Sequence, residues 1–574
     1  MNEERWVVAA KRADFNGIAR KYGIDPVIAR LIRNRDVVGD DAIGEYLYGT
    51  LDSLHNPLLM KDMERATEIL ANKIQEKKPI RIIGDYDIDG VMSTYLLLTG
   101  LRELGADVDV KIPDRIVDGY GMNEHLVKQA AEDGRDTILT CDNGIAAASQ
   151  IALAKQLGMT VVVTDHHEVP YEELPDGERR YLLPQADAVV NPKQKDCPYP
   201  FKGLCGAAVA WKLIQSLEAY CGYDRSRSYR FLEFVAIATI GDVMDLQGEN
   251  RILVKEGLKA LHHTPNYGLS ELIRIQGIEK EAVTPYHIGF VIGPCLNASG
   301  RLDTAERSLQ LLLSQDQAGA AKLAGDLKNL NESRKELTRQ GEEQAIALVE
   351  SSRLKEDDVL VVYLPECHES LAGIIAGRLR EHFHKPSFVI TRCEEGVKGS
   401  GRSIEAYSMY EELCKCRELF TRFGGHPMAA GLSMENEGMI DRLRVELNRN
   451  STLTKEDFLE KVTIDVAMPI SYISKNLIRQ MELLAPFGKG NTRPLFAQKG
   501  LTVLNCRIFG KNKNVVKMQV KDAGGYLMNG IYFGDGQKFV SYADSHPFLS
   551  LAYYPSVDTW HGRENLQITI QSYQ

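Results

Sequence analysis

Asp85, Asp87 and Asp89 alternate in Gly84-Asp85-Tyr86-Asp87-Ile88-Asp89-Gly90, and further acids and imidazoles follow in Cys141-Asp142-Asn143-Gly144 and Thr164-Asp165-His166-His167. Another acid, Asp242, closes Ala238-Thr239-Ile240-Gly241. Hard carboxylate oxygens with at least one imidazole are the donor set of a two-ion Mn²⁺ or Mg²⁺ site. Such a site activates water for in-line attack on phosphorus and needs no covalent intermediate. Taken singly, each motif has a plainer explanation. The first opens like a calcium-binding helix–loop–helix, but Leu96 stands at the twelfth position, where that loop needs a bidentate Glu. Asp-Asn-Gly suits a tight turn on backbone grounds, and paired histidines are common on surfaces. Together the motifs argue for cations, because several carboxylates within a few ångströms repel strongly unless positive charge lies among them.

Positioning these residues falls to short apolar runs. Ile80, Ile82 and Ile83 precede the first motif, Thr137-Ile138-Leu139 the second and Val161-Val162-Val163 the third; Val108-Val110-Ile112 and Val189-Val190 end in turn residues. Strands alternating with helical stretches predict a parallel α/β sheet, whose ligands bind beyond the carboxyl ends of the strands. The apolar run from Phe234 to Asp242 fits another strand or a buried helix. On extended backbone adjacent side chains point opposite ways, so His166 and His167 are expected to divide their roles, one facing metal and the other a phosphate.

From Trp6 to Lys78 the apolar period is helical. Residues 316–351 lack proline and are rich in helix formers, which predicts one long connecting helix. A second, smaller α/β segment follows, with glycine-rich stretches at 398–403 and 423–431. Beyond Pro486 short β-like runs separated by Gly, Asn and Asp predict a barrel or sandwich. The 574 residues carry a formal charge of −10, which excludes a uniformly basic coat, yet residues 486–574 hold ten Lys and Arg against five Asp and Glu. That local excess suits phosphates. Phe487, Phe496, Phe509, Tyr532, Phe533, Tyr553, Tyr554 and Trp560 are candidates for base stacking there, more than half of them expected in the core. Ten scattered cysteines without a CxxC pair suit a reducing cytoplasm rather than a disulfide framework or zinc ribbon. No run approaches the roughly 18 apolar residues of a membrane span.

GDYDIDG, PDRIVDGYGM, CDNG, TDHHE, ATIGDVMDLQGENR, LNASGRLDTA, GSGRS and FGGHPMAAGL, in that order over most of the chain, resemble the DHH phosphoesterase family, and within it the branch of RecJ-like single-strand exonucleases. The resemblance implies an α/β protein: a parallel-sheet DHH domain (79–315) after a helical segment (1–78), a connecting helix (316–351), a DHHA1 domain (352–452) and an OB-like barrel (453–574). It implies two Mn²⁺ or Mg²⁺ ions on Asp87, Asp89, Asp142, His166 and Asp242, with Asp142 bridging and Asp165 and His167 supporting them or the scissile phosphate. It implies further that Arg301, Ser400, Arg402 and His426 hold a 5′ phosphate, a role suited to arginine forks and exposed glycine amides. Arg115 and Tyr120 would clamp the strand near its 5′ end.

The function so implied is metal-dependent 5′-to-3′ exonuclease action on single-stranded DNA, releasing 5′ mononucleotides in repair and recombination. A monomer threading one strand through a channel too narrow for duplex is expected, with a single-strand-binding protein and a helicase as partners. A phosphodiesterase of short oligonucleotides or cyclic dinucleotides is the alternative, which the basic, aromatic C-terminal segment disfavours. A non-catalytic single-strand-binding scaffold ranks last, because all five ligand residues remain. Two positions depart from the family pattern. Cys367 precedes His368 where relatives carry an aromatic, which leaves the role of His368 open. Asp245 stands near Asp242 as a fallback ligand.

Overall fold

A computed structural model describes residues 4–574 except 116, 117, 120, 175, 176, 561 and 562. The chain forms two compact units, one of residues 6–266, 276–293 and 462–574, the other of residues up to 5, 267–275 and 294–461.

The first unit is built on a five-stranded, all-parallel sheet in the order Val108–Lys111, Ile80–Ile83, Thr137–Cys141, Thr160–Thr164, Ala188–Val190. Ile80–Ile83 and Thr137–Cys141 are buried at every position, as expected for strands covered on both faces. After Ile80–Ile83 the chain moves outward to Val108–Lys111 and then returns to the other side of its starting strand, so a topological switch point lies between Ile80–Ile83 and Thr137–Cys141. The run left open between strand and helix is a helix, Leu232–Gly241, buried along most of its length.

The C-terminal strands of this unit close on themselves. Phe496–Phe509 pairs with Val515–Lys521, then come Leu527–Phe533, Arg563–Tyr573 and Leu549–Trp560, which returns to Phe496–Phe509. The first strand pairs with Leu549–Trp560 over residues 496–501 and with Val515–Lys521 over residues 502–509, so its two halves serve different neighbours, and register shifts interrupt it between Gln498 and Leu501, with Gly500 at φ 70°, and between Leu504 and Arg507, with Asn505 at φ 53°. Helix Gly536–Ser545, which the β-like pattern did not reveal, sits between the third and fourth strands. The barrel core is continuous with the N-terminal helices: Ile28, Leu31, Ile32 and Ile43 pack in one cluster with Phe496, Tyr553 and Ile568.

Two buried arginines fasten this arrangement. Arg35 bonds Asn491 Oδ1 (2.8 Å) and the Thr492 carbonyl (2.5 Å). Arg251 donates to the carbonyls of Tyr46 (2.9 Å), Leu484 (2.7 Å) and Leu483 (2.7 Å). The N-terminal region departs from the all-helical expectation, since Glu4–Val8 is a strand before helices Phe15–Tyr22, Pro26–Asn34, Asp40–Tyr48 and Met63–Gln75. The Ala9 amide continues its ladder to the Ile464 carbonyl (2.8 Å). That partner lies far away in sequence, so no local period announces the strand.

The second unit holds a mixed five-stranded sheet, ordered Arg422–His426, Ala429–Met434, Gly396–Arg402, Ser387–Cys393, Leu360–Tyr363. Helix Glu369–Phe383 packs Leu371, Ile375 and Leu379 into a cluster with Val362 and Val389 of the sheet and with Ala345 and Val349 of the 35-residue helix Gln317–Ser351. His368 N-caps Glu369–Phe383, its Nδ1 accepting from the Ser370 amide (3.3 Å).

Candidate metal centre

The carboxylates converge at the switch point of the parallel sheet. Asp87 N-caps helix Ile88–Glu103, and its Oδ1 accepts from the amides of Asp89 (3.0 Å) and Gly90 (3.1 Å). Asp89, in the first turn of that helix, is fully buried and is fixed by the first amides of helix Gly206–Tyr220, Gly206 N to Oδ2 at 2.6 Å and Ala207 N to Oδ1 at 2.7 Å. Asp142 follows its strand at φ 61°, a left-handed conformation that a short polar side chain tolerates and that tends to collect at functional sites. Residue 206 has to be glycine here, because a Cβ would stand 2.7 Å from Asp142 Oδ1. Asp242 caps the C-terminus of Leu232–Gly241.

His166 Nε2 lies 3.1 Å from Asp142 Oδ1, 3.6 Å from Asp89 Oδ2 and 3.7 Å from Asp242 Oδ2. The expected opposition of the two histidines does not hold. Their ring centroids are 4.4 Å apart, and both rings belong with Asp142 to one group of converging donor atoms. The reason is Asp165, whose Oδ1 accepts from the amides of His166 (2.7 Å) and His167 (3.1 Å) and from His167 Nδ1 (2.8 Å). The strand ends at Thr164, and this turn curls the next residues out of extended geometry.

Three sets of donor atoms each lie within 4.8 Å of one another: Asp142, His166 and His167; Asp89, His166 and Asp242; and Asp85, Asp87 and Asp142. The five residues that the resemblance assigns to metal are thus brought together, and Asp142 and His166 each belong to two of the sets. Asp85 joins them although the sequence reading named it only as part of its loop. It is fully buried, and neither of its carboxylate oxygens accepts a well-aligned hydrogen bond, the amides of Tyr86 and Gly121 offsetting its charge only in part.

Asn143 is the second residue that reading passed over. Its Nδ2 donates to the carbonyls of Ile83 (3.1 Å), Gly84 (3.0 Å) and Cys141 (2.8 Å), while its Oδ1 accepts from the Met122 amide (3.2 Å). One buried amide therefore ties three βα loops together. The only sequence signal for this is its position beside Asp142 at a strand end. Asp245, the fallback ligand, is exposed and lies 3.6 Å from Lys489 Nζ, outside the three sets.

The electrostatics are those of a cluster short of positive charge. Burial, then the charges of Asp242 and Asp87, raises Asp89 to about 8. Burial and the neighbouring Asp87 raise Asp242 to about 6. Asp142, buried and crowded by Asp89, Asp87 and Asp85, stands well above the carboxylate range, and so does Asp85. Burial, with His167 adjacent, lowers His166 to about 3 and keeps it neutral, as a ligand must be. Burial opposes charge on His167 too, but the bond to Asp165 prevails and raises it to about 9. Acids that resist ionising because they are buried facing one another, one of them without well-aligned donors, fit divalent cations.

The remaining candidates lie elsewhere. The Arg115 guanidinium stacks on Tyr86, 4.9 Å from the ring centroid. Tyr120 and the Trp560 side chain lie outside the described residues. In the second unit Arg301 Nη1 donates to the Ser370 carbonyl (2.8 Å), and a Cβ on Gly373 would lie 2.9 Å from Arg402 Nη2, so both guanidinium groups reach the first turns of helix Glu369–Phe383. Arg402 and His426 both pair in register with Ala429, one from each side, and Ser400 and Gly424 both pair with Gly431. The structure thus sets Arg402, Ser400 and His426 on neighbouring rows of one sheet, separated by residues with little or no side chain.

Comparison with known proteins follows the same division. Models of the DHH family N-terminal domain, the DHHA1 domain and the RecJ OB domain match residues 79–239, 356–450 and 464–572. The single-stranded-DNA-specific exonuclease RecJ of Bacillus subtilis (strain 168) is 34% identical over 572 residues, 99% of this chain and 70% of that protein. The RecJ of Escherichia coli (strain K12) is 31% identical, with 96% of each chain covered. The chain belongs to the RecJ family. Among solved structures, RecJ from Thermus thermophilus in complex with Mn²⁺ superposes with a TM-score of 0.84 at 27% identity, covering 99% of this chain and 79% of that one. The same enzyme in complex with Mg²⁺ gives 0.77 at 26%, covering 99% and 78%. Both ions are hard cations of the kind that the carboxylate-rich cluster of this RecJ-family chain suits.

Proposed function

We propose that the chain is a divalent-metal-dependent exonuclease that degrades single-stranded DNA from its 5′ end to 5′ mononucleotides, in repair and recombination. The observation that carries this reading is the sharing of Asp142 between two sets of converging donors in a buried acidic cluster. Two cations held by Asp85, Asp87, Asp89, Asp142, His166 and Asp242 would supply charge neutralisation at phosphorus and activation of the attacking water. Asp142, which belongs to two of the donor sets, would help to hold both. The paired amides of Gly206 and Ala207 hold Asp89 in a single orientation, so little reorganisation is left for the chemical step. His167, its Nδ1 held by Asp165, presents its other nitrogen as a proton donor to the scissile phosphate.

Arg301, Ser400, Arg402 and His426 bind the terminal 5′ phosphate, and Arg115 and Tyr120 grip the strand beside it. The open rows around Gly424 and Gly431 support that role, since phosphate oxygens need close approach to backbone and guanidinium. On the barrel, Phe509, Val515 and Phe533 stand directly opposite one another across three strands, and both phenylalanines are exposed, with Lys517 Nζ 6.0 Å from the Phe509 centroid. This face stacks bases without sequence preference. Phe496 and Tyr553 are fully buried core residues and take no part.

The working form is a cytoplasmic monomer acting with a single-strand-binding protein and a helicase. Among the described residues no helix is long and apolar enough to cross a membrane, and all ten cysteines are free thiols. The reading is tested by incubating 5′-phosphorylated single strands, duplexes and dinucleotides with Mn²⁺ or with EDTA. Mn²⁺-dependent release of mononucleotides from single strands supports it. Turnover of dinucleotides alone, or binding without cleavage, refutes it.

A further inference from the structure

Tyr286 and Phe290 are two large aromatic side chains that the proposed chemistry leaves unused. They are 64% and 69% exposed and lie on each other, centroids 5.0 Å apart with 29° between the rings. Residues four apart on a helix share a face, so the two rings form one apolar plate turned to solvent. Adjoining exposed aromatic rings make an apolar patch of the kind that often marks a binding surface.

The backbone beneath the plate is held firmly. Thr284 and His287 form a capping box that starts the turn Pro285–His287, and a π-helical turn, Ile288–Ile292, follows. The Gly293 amide reaches back to the Ile288 carbonyl. A proline at position 294 would clash with the carbonyl of residue 290 in a regular α-helix, and the wider turn relieves the clash. Ile288 and Ile292 are fully buried on the inner side. There, a Cβ on Gly289 would lie 3.8 Å from Ile240, two residues before Asp242. A Cβ on Gly293 would lie 3.2 Å from Ile88, between Asp87 and Asp89. The turn that carries the plate is therefore seated directly against two of the metal-bearing segments.

We propose that Tyr286 and Phe290 form a stacking platform for the nucleobases of the strand next to the cleavage site. The inference rests on the exonuclease reading given above. Flat, largely apolar ring faces suit the π-face of a base, carry no hydrogen-bond code and so tolerate any sequence as the strand advances. The platform grips the base, while the metal cluster handles the phosphate of the same stretch of strand. Neither ring touches the reacting atoms, so both are positioning residues.

The test uses the full chain with Mn²⁺ and 5′-phosphorylated single strands, either fully based or carrying abasic nucleotides near the 5′ end. Phe290→Ala is expected to raise KM about tenfold and to change kcat little, in line with the loss of one base stack. Phe290→Trp, which keeps a π-face, is expected to bring KM back, and the added indole emission should be quenched by oligothymidylate in EDTA. Abasic substitution should penalise the wild-type chain about tenfold and Phe290→Ala hardly at all, because the two changes remove the same contact. Additive penalties, an unchanged KM in Phe290→Ala, or unquenched indole overturn the platform while leaving the exonuclease reading intact. A wild-type chain that does not cleave single strands overturns both. Circular dichroism of each variant confirms that an exposed substitution has left the fold in place.

Discussion

The metal cluster of the first unit and the basic rows of the second solve opposite problems. In the cluster, charges of one sign are buried: Asp85, Asp89 and Asp142 are almost without solvent, and amides from Asp89, Gly90, Gly206 and Ala207 hold Asp87 and Asp89. Position is fixed by backbone before any ligand arrives. At Arg402, Ser400 and His426 the sheet contributes mainly emptiness, rows of Gly424, Gly431 and Ala429 between the polar side chains. An anion bound there, as proposed, would have to complete the site itself. A preorganised, buried site concentrates the effect of one residue, whereas an open one spreads it over several contacts.

The contrast is broken most sharply at Asp142. Asp142→Ala removes a donor shared by two sets, and the lost charge stabilisation corresponds to a fall in turnover of about a thousandfold or more, with single-strand binding retained. Rates on a 5′-phosphorylated strand and binding in EDTA check both halves of the statement. Arg251→Ala acts on the scaffold instead. It takes the guanidinium donor from the carbonyls of Tyr46 and Leu483, while the Leu484 carbonyl keeps the Asn491 amide, so urea melts should show a loss of about 3 kcal/mol. Arg402→Ala is expected to reduce the preference for a 5′-phosphorylated over a 5′-hydroxyl end by about tenfold, the worth of one charge-assisted contact. If that preference survives unchanged, the open rows are not where the phosphate binds.

The parallel strands were legible in the sequence because strands covered on both faces are apolar throughout, and their ends then drew attention to Asp87, Asp142 and His166. Residue type and strand-end position do not tell which of Asp85, Asp87 and Asp89 turns inward. The Asp85 side chain is placed by the packing of a loop that carries no period. The orientation of His166 and His167 differs from the expectation because Asp165, the residue that curls the chain, acts through its own side chain rather than through any pattern of neighbours. Helix Gly536–Ser545 and strand Glu4–Val8 escaped for another reason: each packs or pairs with partners distant in sequence. Closure of the barrel depends on the first strand changing partner between residues 501 and 502, which composition does not record.

The smallest expected effect separates the two regions by pH. Asp89 has a folded-state value of about 8 against 3.8 unfolded, so between those values the folded chain holds a proton that the unfolded chain has given up, and stability declines as pH rises. His167, at about 9 against 6.5, has the same sign: its contribution is complete below 6.5 and is lost as pH rises through 9. His166 works the other way but only between about 3 and 6.5, so it is silent above that window. From pH 6.5 to 9, then, the EDTA-treated chain should lose Tm steadily. Mn²⁺ held as proposed would take the place of the proton on Asp89, so the Tm gained on adding it should grow over the same interval. Substitution at Arg402, on the open rows, should leave that slope alone, whereas Asp89→Asn should flatten it. A metal-independent slope, or one that persists in Asp89→Asn and in His167→Gln, would mean that the buried acids are not what the cations stabilise.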